Sequence, residues 1–178
     1  MGLLVVTGPP GAGKSTVAAL IAERFSQSAL IEGDAFFAFL KSGAIEPWLP
    51  EANAQNDVVV QAAGAATGLF ARNRYMTVYE GIVGPWFLPT FLASTGQPSL
   101  HYAVLFPTVE TCVERVATRA RHGFRDESAT RKMHAEFARA EIAPRHLFID
   151  PDADPSAIAA EVIQRMEDGR LESEAQGN

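Results

Sequence analysis

The stretch GPPGAGKST, residues 8–16, lies between two unlike neighbours. Before it, Leu3 to Thr7 form a short apolar, β-branched run that suits a strand buried on both faces. After it, Val17, Leu20, Ile21 and Phe25 recur at helical spacing. The stretch therefore joins a strand to a helix, and Gly8, Gly13, Lys14 and Ser15 fit G-x-x-x-x-G-K-[ST] in the context which that spacing requires. Glycines let the main chain turn tightly and come close to a ligand, so that successive N–H groups can face phosphate oxygens. The helix that begins near Gly13 adds its positive dipole end. Gly8, Pro9, Pro10, Gly11, Ala12, Gly13, Lys14, Ser15 and Thr16 are thus expected to cradle a nucleotide's phosphates. Lys14 would reach the β- and γ-phosphates and the Ser15 hydroxyl would ligate Mg²⁺, while Thr16 supports the first helical turn.

The sequence has 178 residues, of which 47% are hydrophobic, enough for one domain with a proper core. A net charge of −6 argues against nucleic acid as an obligatory partner. The single cysteine, Cys112, allows no internal disulfide and falls on an apolar face with Val109, Val113 and Val116. No basic leader precedes the first apolar run, and no segment approaches the length of a membrane span; a reducing, cytoplasmic setting is expected. His101, His122, His134 and His146 show no metal-ligand spacing.

Strand-like and helix-like segments alternate along the chain. Residues 29–32, 76–80, 100–106 and 146–150 read as further strands. Helices are expected around Phe36, Phe37 and Leu40, over 51–73, after a Thr108 cap, and after an Asp154 cap with Pro155 in the first turn. Five short apolar strands separated by helices specify an α/β, doubly wound, parallel five-stranded sheet. Ligands in such sheets bind beyond the carboxyl ends of the strands. The polar stretch DGRLESEAQGN, 168–178, is expected to fray, leaving 1–167 as the folded domain.

GPPGAGKST, IEGD, YEG and TRARHGFR occur in an order that resembles small P-loop kinases, the group of shikimate and gluconate kinases, nucleoside monophosphate kinases and chloramphenicol phosphotransferase. The resemblance spans Leu3 to about Met166. It implies a P-loop NTPase sheet of order 2-3-1-4-5, an Arg-rich lid at about 119–132, and transfer of the γ-phosphoryl group of ATP, with Mg²⁺ as the metal. Other P-loop classes fit less well. The Asn-Lys-x-Asp of guanine-specific GTPases is missing, and the third strand ends VYEG rather than in the Asp-Glu of AAA-type motors.

Asp34 ends the second strand in IEGDAFF, where the resemblance places an acceptor-facing carboxylate. Two roles are open to it: to take or orient the acceptor hydroxyl's proton, or to cap the helix that carries Phe36 and Phe37. Glu80 ends the third strand, where it could orient a metal-bound water or simply bond to a neighbouring loop, and Gly81 would let the main chain pass close to a ligand. Arg115, Arg119, Arg121, Arg125, Arg131, Lys132, Arg139 and Arg145 make up eight of the fifteen basic side chains. A solvated helix face is one account of them. By the resemblance, Arg119 would lie near adenine or the phosphates and Arg125 would be the lid arginine over the transferring phosphoryl group; Arg121, beside the same Gly-containing break, is a further candidate for the nucleotide, and Arg131 could contact substrate or phosphate. The loop DPDADP after the fifth strand carries no base-specific signature.

The acceptor is less legible. The anion-binding runs of gluconate and shikimate kinases are missing, and GIVGPWF lacks the arginine that nucleoside monophosphate kinases use. The acceptor segments are aromatic: Phe36, Trp48, Trp86 and Phe87 are expected to line an apolar pocket towards Asp34, whereas Phe37 and Phe39 are expected in the core. Asn53, Gln55 and Asn56 are the candidate hydrogen-bonding side chains. These features point to a small, neutral or amphipathic hydroxyl compound. A polynucleotide 5′-hydroxyl kinase and a nucleotide-binding module without an acceptor are the alternatives.

Overall fold

Parallel strands β1 (Leu3–Thr7), β2 (Ser28–Glu32), β3 (Met76–Glu80), β4 (Ser99–Leu105) and β5 (Leu147–Phe148) form a sheet of order β2-β3-β1-β4-β5, as the resemblance implies. The computed structural model describes residues 2–118, 124–150 and 154–174. Seven helices cross between the strands among these residues: α1 (Lys14–Ala22), α2 (Gly33–Phe37), α3 (Asn53–Arg72), α4 (Leu88–Thr95), α5 (Val109–Thr118), α6 (Glu127–Arg139) and α7 (Pro155–Glu167).

Successive strand residues point to opposite faces, so each strand feeds two cores. Leu4 and Val6 join Val17, Ile21, Leu105 and Val162 in a layer shared with α1 and α7. Leu3 and Val5 join Val60, Phe91, Leu92 and Phe137 in a layer shared with α3, α4 and α6. Being apolar on both faces, β1 lies at the centre of the sheet, and its carboxyl end opens on the phosphate loop.

The caps lie where residue chemistry puts them. The Thr111 amide donates to the Thr108 hydroxyl at 3.2 Å, and the Ser156 amide to Asp154 at 2.7 Å with Pro155 in the first turn. The short β5 and the late start of α3, after a 3-10 turn at Pro50–Ala52, are differences of boundary.

Two differences are larger. The aromatic stretch GPWFLPTF, to which no helix was assigned, runs into α4; Pro89 stands in its first turn, where its missing N–H costs nothing, and Gly96 at φ 65° closes it. The expected fraying from residue 168 is also overturned for the residues described. Chain reversal at Gly169, with φ 72°, brings Leu171 into the core with 0% exposure and lets β6 (Glu172–Glu174) pair antiparallel with β4. One buried leucine in a polar stretch was enough to anchor it. No helix among the described residues is long and apolar enough to cross a membrane.

Candidate active site

The loop after β1 is held by main-chain geometry. Gly8, Gly11 and Gly13 take φ of 141°, 83° and 94°, a region that disfavours side chains. Gly11 also packs directly on α5: a Cβ there would stand 2.2 Å from the Cys112 carbonyl oxygen. The loop is thereby clamped between β1 and α5. The helix α1 that follows has neither a side-chain cap nor an acidic residue in its first turn. Its first N–H groups therefore face the loop without a protein carboxylate to satisfy them, the arrangement that binds anions. Lys14 Nζ donates to the Pro9 carbonyl at 3.1 Å, which folds its ammonium back over the loop.

A cavity of about 780 Å³ opens in front of this loop, beyond the carboxyl ends of β1, β2 and β3. Pro10, Gly11, Gly13, Lys14, Ser15 and Thr16 form one end of it, while Gly8, Pro9 and Ala12 are buried in the loop behind. Asp34, Trp48, Asn56, Glu80, Trp86 and Phe87 also line it.

The Ser15 hydroxyl donates to Glu80 Oε1 at 3.2 Å. Glu80 is buried, with 8% exposure, and burial pushes its carboxyl above the ordinary carboxylate range. Lys14 draws it down, Asp34 pushes it up, Ser15 draws it down and Glu32 pushes it up. Two hard oxygen donors beside a phosphate cradle fit Mg²⁺, which takes one or two protein ligands plus phosphates and keeps its waters. No cluster of three or more His, Cys, Asp or Glu among the described residues could hold a metal by itself.

Asp34 stands in the first turn of α2, but the cap position belongs to Glu32 and neither makes a side-chain cap bond. The capping role left open for Asp34 therefore does not occur. Its carboxylate is exposed on the cavity wall, close enough to Glu80 and Tyr79 to raise the pKa of both.

Tyr79 explains the two motif glycines beside these carboxylates. Its phenol is buried, and burial first, then Asp34 and Glu80, push it far above the ordinary tyrosine value. A Cβ on Gly33 would meet the Tyr79 hydroxyl at 2.3 Å, and one on Gly81 would meet it at 2.7 Å. Gly81, expected to make room for a ligand, instead makes room for this ring.

The segment 45–50 forms the far wall. Gln55 bonds both main-chain groups of Ile45, at 2.8 and 2.7 Å, and Asn56 Nδ2 donates to the Pro47 carbonyl at 2.7 Å. Asn56 Oδ1 is buried without a protein partner. Lys132, on α6, bonds the Trp48 carbonyl, and Trp48 meets Phe124 edge-on at 5.1 Å. Trp86 meets Phe137 of α6 at 5.2 Å. Residues before and within α6 thus close over the pocket formed by residues 45–60.

Six residues lie elsewhere than expected. Phe36 packs on the core and against Phe39, at 5.5 Å, while Phe37 lines the cavity and Phe39 is 69% exposed. One turn of helix separates the roles of these three residues, and the α2 register could not be read from so short a segment. Asn53 is exposed and does not line the cavity. Arg131 turns away to Glu127 at 3.0 Å and Glu110 at 3.9 Å, and Arg125 is exposed and does not line the cavity either. Arg119, Arg121 and His122 lie outside the described residues.

Sequence reasoning named Arg115 only as part of the basic stretch and passed over Phe124 and Glu136; all three line the cavity. Arg115 Nη1 lies 3.9 Å from where a Cβ on Gly13 would stand, so α5 adds a cation at the phosphate end. Its position one helical turn before Arg119 was the available signal.

A family model described as an AAA domain, AAA_33, matches residues 3–142. The chain belongs to the AAA_33 family. No second helical domain follows the match in this AAA_33 chain among its described residues; β5 and β6 complete the same sheet. No significant match to a curated protein was found. The fold is shared with solved P-loop kinases. The tunicamycin resistance protein of Deinococcus radiodurans has 14% identity and a TM-score of 0.69, with 93% of this chain and 95% of that one covered. A gluconokinase from Sinorhizobium meliloti has 22% identity and a TM-score of 0.65, with 95% and 93% covered. The APS kinase CysC of Mycobacterium tuberculosis, solved in complex with AMPPNP and APS, has 19% identity and a TM-score of 0.67, with 93% and 97% covered.

Proposed function

We propose that this AAA_33 chain is an ATP-dependent phosphotransferase whose acceptor is a hydroxyl of a small, neutral or amphipathic molecule. One observation carries the reading: the phosphate cradle, the Ser15–Glu80 pair and Asp34 share a single cavity with an aromatic pocket. Such a cavity can hold a nucleotide tail and a second molecule with their reacting atoms in line.

The roles follow from position. Main-chain amides of residues 11–16 and the Lys14 ammonium hold the triphosphate. Ser15 and Glu80 would hold Mg²⁺, which neutralises charge on the β- and γ-phosphates when bound. Asp34 orients the acceptor hydroxyl and takes its proton as the oxygen–phosphorus bond forms; the bond to the β-phosphate oxygen breaks and ADP leaves. Arg115, on α5 at the phosphate end, meets the charge that shifts towards the leaving group. Trp48, Phe124 and Trp86 exclude water, which would otherwise compete as acceptor.

An ADP-release assay with MgATP and a panel of aromatic and aliphatic alcohols, sugar acids and nucleosides tests this. The expected result is stimulation by apolar or amphipathic alcohols well above slow hydrolysis. A strong preference for a sugar acid or a mononucleotide contradicts it.

A further inference from the structure

The charged side chains lining the cavity divide into two groups. Its cations, Lys14 and Arg115, both stand at the phosphate end. Of its carboxylates, Glu80 faces Ser15, and Asp34 stands beside Glu80 at the carboxyl ends of β2 and β3. The third, Glu136, has no such role. It lies on α6, half-buried, between Met133 of the cavity wall and Phe137, the ring that supports Trp86. Its carboxylate has no hydrogen bond or ion pair among the described residues, although basic side chains occupy the same helix at Arg131, Lys132 and Arg139.

We propose that the acceptor carries a protonated amine besides its hydroxyl, and that Glu136 binds that ammonium against the aromatic walls of the pocket. This rests on the kinase reading above and specifies its acceptor. An amphipathic molecule that fills the pocket strips water from Glu136, which is unfavourable unless an opposite charge replaces the water. An ammonium does so, whereas a carboxylate on the acceptor would be repelled and a neutral group would leave Glu136 unpaired. Trp48, Phe124 and Trp86 favour the same occupant, because ring faces attract cations. The chain segments that contribute Asp34, Trp48 and Asn56 to the cavity wall are acidic as well: between residues 32 and 60 stand Glu32, Asp34, Glu46, Glu51 and Asp57, against Lys41 alone. A surplus of negative charge of this kind favours a cationic acceptor over an anionic one.

Three probes with the same phenyl body and a hydroxyl separate the charges: phenylalaninol, N-acetylphenylalaninol and 3-phenyllactate. Each is titrated at pH 7 by calorimetry into the full chain saturated with MgAMPPNP. Phenylalaninol is expected to bind about tenfold or more tighter than the other two. In Glu136→Gln the preference should shrink to about twofold, and in Glu136→Lys it should turn towards 3-phenyllactate. MgAMPPNP affinity and melting temperature should stay at wild-type values in both variants, as expected for a half-buried helix residue without partners.

Equal binding of the acetylated probe overturns the proposal, and so does a preference that survives Glu136→Gln. Binding of none of the three probes, with MgAMPPNP bound normally, also overturns it and leaves the kinase reading standing. Failure of MgAMPPNP itself to bind brings down the kinase reading and this inference together.

Discussion

The two ends of the cavity are built by opposite means. At the phosphate end the ligand-facing groups are main-chain amides, drawn from one continuous loop and fixed by positive-φ glycines and by contact with α5. At the acceptor end they are side chains, drawn from α2, the segment 45–50, α3, the loop after β3 and α6. The first construction tolerates little change and suits a generic anion. The second can be altered one residue at a time, so on the proposed reading acceptor specificity would reside there.

The difference can be broken at either end. Lys14→Ala is expected to lower kcat/KM about 10³-fold or more, since it removes charge compensation at the transferring group. Asp34→Asn should lower kcat about 10²-fold while MgATP affinity stays within about twofold, because only the acceptor's proton is affected. A steady-state assay with nucleotide titrations checks both. Trp48→Ala should raise the acceptor KM about tenfold and leave the KM for ATP unchanged. Equal changes in both constants would show that the two ends are not separable.

Smaller effects probe the boundary between the ends. Gly33→Ala forces a methyl group into the Tyr79 phenol and should cost about 1–3 kcal/mol by denaturant unfolding. Tyr79→Phe in the same chain should recover part of that cost, because it removes the nearest atom. Glu80 gives a pH-dependent test. Burial raises its folded pKa above the unfolded value, so the fold binds its proton more tightly than the unfolded chain does. That contribution favours the fold in acid and is lost as pH rises through the raised value. Without nucleotide, Glu80→Gln should therefore melt a few degrees above wild type at about pH 8, with the gap closing towards about pH 4.

The shape of the loop after β1 was legible in sequence because it lies in backbone conformation. Glycine spacing between an apolar strand and a helix specifies that conformation locally. The sheet was legible for a similar reason: Leu3 to Val6 are apolar on both faces, the pattern of a central strand. The acceptor end was read in composition but not in register. Whether Phe36 or Phe37 faces the cavity depends on where a five-residue helix starts, and that depends on Gly33 fitting under Tyr79, a contact between positions 46 residues apart. Glu136 carries no local signal, since a glutamate on a charged helix reads as solvated. Only the closure of α6 over Trp48 and Trp86 brings it to the pocket. The helix α4 was hidden by prolines that read as loop and serve as a helix start.

The central claim is that main-chain amides and the Lys14 ammonium grip a triphosphate. Calorimetric titration of MgATP into the wild-type chain and into Lys14→Ala tests it most directly. The account predicts a one-site binding heat for the wild type and about tenfold or greater weakening in the variant, with both chains equally folded. No heat with the wild type, or the same affinity in both chains, would contradict it.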